Sequence, residues 1–179
     1  MSALNADYRV YSNGTAYLAT VQVDDASHYD FTYTGALGEP VPFSAGNVQL
    51  TGNGCSNCSF NWSGNSKISF AEGNYSVSFV GPISDDHFQA VYESPYTVNL
   101  TLPQEFDVRN PLLAGISPGA NVTRYADNTT MIFWDNVNAV DLRFYDSAHE
   151  QLLYLFGNFW IVIAIVLLVP YIITARKRD

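Results

Sequence analysis

The sequence predicts an all-β body, an antiparallel immunoglobulin-like sandwich over residues 1–146, joined to one C-terminal transmembrane helix. Three observations predict it. Short runs with alternating apolar residues recur every eight to twelve residues or so, as in sandwiches. Gly, Pro, Asn and Ser punctuate the intervals between the runs. Leu152 to Ala175 contains no charged residue and is followed at once by Arg176, Lys177 and Arg178.

Taken in order, the body begins with a hairpin. Tyr8 to Tyr11 and Ala16 to Val23 flank Asn13-Gly14, a pair suited to the positive φ of a two-residue turn. Asp24 to Ser27 interrupts the alternation, and Tyr29, Phe31 and Tyr33 resume it. Gly35, Gly38, Pro40 and Pro42 mark a bend, after which Asn47 to Thr51 reads as a short strand and Gly52 to Ser59 as a loop. Separate strands are then expected at Ser59 to Trp62, Lys67 to Ala71, Tyr75 to Val80, Phe88 to Tyr92 and Tyr96 to Leu102. Pro103, Pro111 and Pro118 make Gln104 to Ala120 an extended loop. Thr123 to Ala126 pairs with Thr130 to Trp134 around Asp127-Asn128, and Val140, Leu142 and Phe144 form the last strand.

A juxtamembrane and transmembrane helix is expected over 147–175, with a basic tail at 176–179. Ser147 and Glu150 have the spacing of a capping box, so the helix should begin before the apolar stretch and run into it without a linker. Leu152 to Ala175 would rise about 36 Å, enough for a hydrocarbon layer of about 30 Å. Leu152 opens the apolar run; Tyr154, Trp160 and Tyr171 supply rings for the headgroup zones, and Pro170 falls in the last turns. Arg176, Lys177 and Arg178 favour the cytoplasmic side, which puts the body outside the cell membrane. Translocation requires a targeting signal. Met1 to Tyr8 has neither a basic nor an apolar signal region, so further N-terminal residues are expected.

The chemistry of the body narrows its role. Before the anchor, five cationic side chains stand against sixteen acidic ones, with no basic stripe, which disfavours nucleic acid as a partner. Asn13, Asn57, Asn61, Asn74, Asn99, Asn121 and Asn128 each begin an N-x-S/T sequon, where chance predicts about two, and all precede the anchor. They are the candidate glycosylation sites. Cys55 and Cys58 read first as a disulfide closing a small loop. A redox pair would need a helix N-terminus, and a zinc site would need ligands from His28, His87 and His149, none at ligand spacing. His28 and His87 read as solvated turn residues. Asp24-Asp25 and Asp85-Asp86 read as acidic turns, with joint calcium binding the alternative. Asn158, inside the apolar run, has the chemistry to bond a neighbouring helix. No catalytic residue, cofactor or resident metal is expected.

Ile116-Ser117-Pro118-Gly119, Trp134-Asp135, Leu142-Arg143-Phe144-Tyr145 and Gln151 to Gly157 (QLLYLFG) carry a resemblance. Together they resemble a family of uncharacterised archaeal single-pass membrane proteins from haloarchaea and methanogens, a domain of unknown function. The resemblance covers mainly the C-terminal third. It implies archaeal origin and an exported, single-pass architecture, and it carries no catalytic residue across. The expected protein is a glycosylated, membrane-anchored surface module that acts by binding, as an envelope component or an accessory subunit. Its expected partners are the bilayer and a protein in or on the same membrane. The alternatives are an exported redox or metal-dependent enzyme centred on Cys55 and Cys58, and a receptor using aromatic loops such as Phe43 and Trp62.

Overall fold

A computed structural model describes residues 4–35, 38–52 and 54–176, with 172–176 as backbone alone. Lys177, Arg178 and Asp179 lie outside the described residues, as do Met1 to Ala3. Among the described residues thirteen strands precede one helix: β1 (Leu4–Val10), β2 (Ala16–Asp30), β3 (Thr32–Thr34), β4 (Pro40–Pro42), β5 (Gly46–Gly52), β6 (Asn61–Trp62), β7 (Lys67–Pro82), β8 (His87–Leu102), β9 (Phe106–Asp107), β10 (Gly115–Ile116), β11 (Asn121–Arg124), β12 (Thr130–Arg143), β13 (Tyr145–Asp146) and α1 (Ser147–Arg176).

The mostly-β expectation holds, but the sheet is mixed. Its order is β10-β12-β8-β1-β2-β7-β5, with β11 on β12 and β6 on β7. β1 runs antiparallel to β2 but parallel to β8, from Leu4 opposite Tyr96 to Arg9 opposite Thr101. The purely antiparallel expectation is therefore corrected. Ala6, Tyr8 and Val10 alternate inward, and the slot between β2 and β8 lets β1 bury that face while bonding on both edges. No local pattern in the sequence specifies which neighbour β1 takes.

Four strands are long because they bend instead of ending. β2 and β7 shift register between Val23, Ala26 and His28, where Asp25 adopts φ 47°. β12 and β8 shift between Trp134, Val137 and Ala139, where Asn136 adopts φ 55°. Bulges of this kind turn a strand sharply. On a straight β8, Phe88 and Leu100 would lie about 40 Å apart at about 3.3 Å per residue. Yet Tyr8, in register with Leu100, has its ring 4.7 Å from that of Phe88. β8 thus doubles back. β2 does the same, since Tyr29 lies 5.7 Å from Phe79 although Phe79 pairs with Ala19.

The core fills the space between the two halves of these bent strands. Trp134, Phe31, Phe88, Leu100 and Ile132 are fully buried there. Phe43, expected on a binding loop, belongs to this core, packed on Phe31 and Phe79. Buried phenols need polar partners. Tyr92 donates to the Tyr8 hydroxyl at 2.9 Å and Tyr96 donates to the Gln22 carbonyl at 2.6 Å. Burial pushes the Tyr8 and Tyr92 hydroxyls well above the usual phenol range, so both stay neutral.

The first turn differs from expectation in detail. Only Gly14, at φ 70°, is left-handed there, and Tyr11 donates to the Ala16 carbonyl at 3.0 Å across a loop wider than two residues. Asn13 instead accepts from the Thr15 amide at 3.2 Å. A Cβ on Gly14 would come within 2.6 Å of the Phe106 ring, so glycine is also required by packing.

α1 follows β13 directly. The Asp146 carboxylate accepts from the His149 amide at 2.9 Å, which makes Asp146 the cap and moves Ser147 into the helix, correcting the capping-box assignment. Ser147–Tyr171 is long and apolar enough to cross a membrane, and none of its most apolar window is buried against the body. Leu152, Trp160 and Tyr171 are all more than half exposed, and Pro170 lies within the helix.

Candidate functional site at the base of the helix

A concavity lies where the body meets α1. It begins with the β7–β8 turn. Asp85 and Asp86 adopt φ 55° and 51°, a left-handed pair that short polar side chains tolerate, and the His87 amide donates to the Ser84 carbonyl at 3.1 Å. This reversal launches β8 with His87 opposite Arg143. The Phe144 amide then donates to the Asp86 carbonyl at 3.1 Å, tying the turn to the approach to the helix.

His87 lies on a strand, not in a solvated turn, which corrects the sequence reading. Its Nε2 stands 3.1 Å from both carboxylate oxygens of Asp141, and Gln89 donates to the same carboxylate. The Asp141 amide donates to Ser117 Oγ at 3.1 Å, and the Ser117 amide returns a bond to the Asp141 carbonyl at 2.9 Å. Trp134 Nε1 donates to the Ser117 carbonyl at 3.3 Å. The Ser117-Pro118-Gly119 loop and both halves of β12, one bearing Trp134 and the other Asp141 and Arg143, are therefore one hydrogen-bonded unit. Gly119, at φ 86°, turns the chain at its edge.

A cleft of about 570 Å³ opens beside this unit, lined by Asp86, His87, Leu113, Arg143, Tyr145 and His149 among others. His149, in the first turn of α1, places Nδ1 2.7 Å from Asp146 and 3.9 Å from Asp86. Burial raises the Asp86 carboxyl; Asp146 and Asp85 add to that and His149 opposes it. Asp146 is lowered, chiefly by the His149 amide and then by its ring. Asp107, near the same end, is lowered although burial acts against it, because the Arg109 side chain and the Val108 and Arg109 amides hold its charge. Arg124 also reaches Asp107, at 3.4 Å.

These groups offer hydrogen-bond donors, acceptors and mixed charge around an aromatic wall, a surface suited to holding a polar ligand or a partner's loop. His87 with Asp141 is an oriented imidazole, but among the described residues no side-chain hydroxyl is hydrogen-bonded to it. Among the described residues, no group of three or more His, Cys, Asp or Glu is placed to hold a metal ion. Asp24 and Asp25 do not join Asp85 and Asp86. They sit at the β2 bend, about 26–30 Å along the strand from Ala16, which pairs with Pro82.

The other expected sites are dispersed. Cys55 and Cys58 are bonded as a disulfide, Cα atoms 5.4 Å apart, in the loop after β5. Asn13, Asn57, Asn61, Asn74, Asn121 and Asn128 are exposed, whereas Asn99 is half-buried and its amide donates to Asp7 at 2.9 Å. Trp62 is 47% exposed, its ring tilted against Phe31 and edge-on to Phe60. Arg176 closes α1, and Lys177 and Arg178 lie outside the described residues. The cleft was missed because its residues come from four distant segments. The one available signal was Asp141-Leu142-Arg143, whose alternation puts two charges on one strand face opposite His87 and Gln89.

This is a β-rich module with, among the described residues, one apolar helix continuing from its last strand. A family model described as "Family of unknown function (DUF5803)" matches residues 4–177, and the chain belongs to that family. The match takes in most of the chain, well beyond the C-terminal third on which the resemblance rested. No curated protein matches.

Proposed function

We propose that this protein is a single-pass surface module of a cell membrane, its β body outside and its C-terminus cytoplasmic, acting by binding as an envelope component or an accessory subunit of a membrane complex. The folded-over sheet serves as a sandwich-like body, and the exposed sequons carry sugar. One observation carries the reading: α1 starts at the residue after β13, with Asp146 capping it and His149 contacting Asp86 of the body. A body joined to its anchor without a flexible linker presents the same face to its membrane neighbours at all times, which suits a fixed partner better than capture of distant ones. The acidic balance and excess of sequons support an exterior position. Archaeal origin belongs to the same reading and rests on the sequence resemblance.

The test is cross-linking in native membranes followed by mild detergent extraction and glycopeptide mass spectrometry. Co-purification with a stoichiometric membrane protein is expected, with sugar on exposed sequons such as Asn61 and Asn128 and none on Asn99. A lone, sugar-free monomer would overturn the proposal. A receptor reading is favoured by the cleft alone, and the redox reading by the cysteine pair alone. The latter needs a reactive thiolate, for which the loop around Cys55 and Cys58 supplies no helix N-terminus.

A further inference from the structure

We propose that the helix-proximal rim of the body rests on the bilayer its own anchor enters, with Leu112 inserted at the boundary between headgroups and acyl chains. The inference rests on the membrane reading above and adds a second point of attachment to it. Leu112 is 79% exposed, more than any other large apolar side chain among the described residues, those of α1 included. It is not on a loose tip. Its amide donates to Asn110 Oδ1 at 3.0 Å, and the Leu113 and Ala114 amides donate to the Asn110 carbonyl at 3.0 and 2.8 Å. The Asn110 amide in turn donates to the Tyr145 hydroxyl at 3.2 Å, two residues before α1 begins. Leu112, held out by a hydrogen-bonded turn tied to Tyr145, packs into no hydrophobic cluster among the described residues.

Three part-exposed tyrosines share this rim with the charged groups of the cleft. Tyr33 lines the cleft with Leu113 and His149. Tyr11 opens the turn whose Gly14 abuts Phe106 and Asp86, and Tyr125 follows Arg124, which bridges to Asp107. These tyrosines are 40–47% exposed, and tyrosine is the residue favoured at headgroup depth. Only a short length of helix separates the last strand from the uncharged run. From Ser147 to Leu152, where the uncharged run begins, the helix rises about 8 Å, close to one headgroup layer of about 6 Å. Continuity with the lipid-facing surface of α1 makes the bilayer the occupant of this rim, in preference to a protein.

The full chain is reconstituted in phosphatidylcholine vesicles with one nitroxide at a time on Leu112→Cys, Ile161→Cys or Ser94→Cys, the native cysteines being paired. Collision rates with oxygen and with a water-soluble nickel chelate report depth. The oxygen-to-nickel ratio at 112 is expected to rise severalfold above that at 94, on the exposed bend of β8, towards the value at 161. If 161 reads as lipid and 112 matches 94, the rim stands in water and this inference falls while the anchor stands. If 161 itself reads as water, the anchor reading fails and takes the inference with it.

Discussion

Asp146 is the residue on which the join between body and helix turns. It ends β13, caps α1 through the His149 amide and holds the His149 ring. Replacing it with Ala removes the cap, so Asp146→Ala is expected to cost about 1 kcal/mol and to lower the thermal midpoint of the full chain in detergent. Asp146→Asn, an equally good cap, retains most of it. The pH dependence follows from the lowered carboxyl. A depressed folded-state value stabilises above the unfolded value, near 3.8, and that contribution disappears as pH falls through the folded value. The difference between Asp146→Ala and the parent should therefore narrow in acid to the part that a neutral cap, as in Asp146→Asn, also supplies. Asp86 runs the other way: its raised value stabilises only below the unfolded value and is lost as pH rises through the folded one. Asp86→Asn should consequently raise the midpoint at neutral pH and match the parent in acid. At this scale the sequence was partly legible. The spacing around Ser147 marked a helix start within a residue, but only the backbone conformation decides whether Asp146 or Ser147 caps it.

At the scale of elements, the bends decide the fold. Lys67 to Ala71 and Tyr75 to Val80 read as two strands and are the two halves of β7; Phe88 to Tyr92 and Tyr96 to Leu102 are likewise halves of β8. A bulge with one left-handed residue interrupts alternation much as a turn does, so the sequence marks the break without saying whether the ladder continues. Asn136, at φ 55° and exposed, is such a pivot in β12. Asn136→Val, forced into a left-handed conformation, is expected to lose about 1–2 kcal/mol, whereas Asn136→Gly should be tolerated; denaturant midpoints at unchanged slope distinguish them. Phe88 reports the doubling back itself, since its ring meets Tyr8 and Tyr17 across the interior. Phe88→Ala should cost about 3–5 kcal/mol, far more than any change at exposed Leu18. The parallel β1–β8 pairing had no local signature, because its partners lie about ninety positions apart and nothing in either strand names the other.

For the whole molecule, the legible features were those set by composition. A long uncharged run is visible without knowing a single contact, and Ser147–Tyr171 forms the expected helix. The cleft was not legible, since it assembles Asp86, His87, Arg143 and His149 only after two strands fold back. The stiff apolar helix leaves the last strand without slack, so under the proposed single-pass reading the side of the membrane that its basic end prefers determines where the body acts. Protease added to intact cells carrying a C-terminal epitope tests this most directly. The account predicts that the body is digested while the tag survives until the cells are permeabilised. Survival of the body in intact cells, with its loss only after permeabilisation, would contradict it.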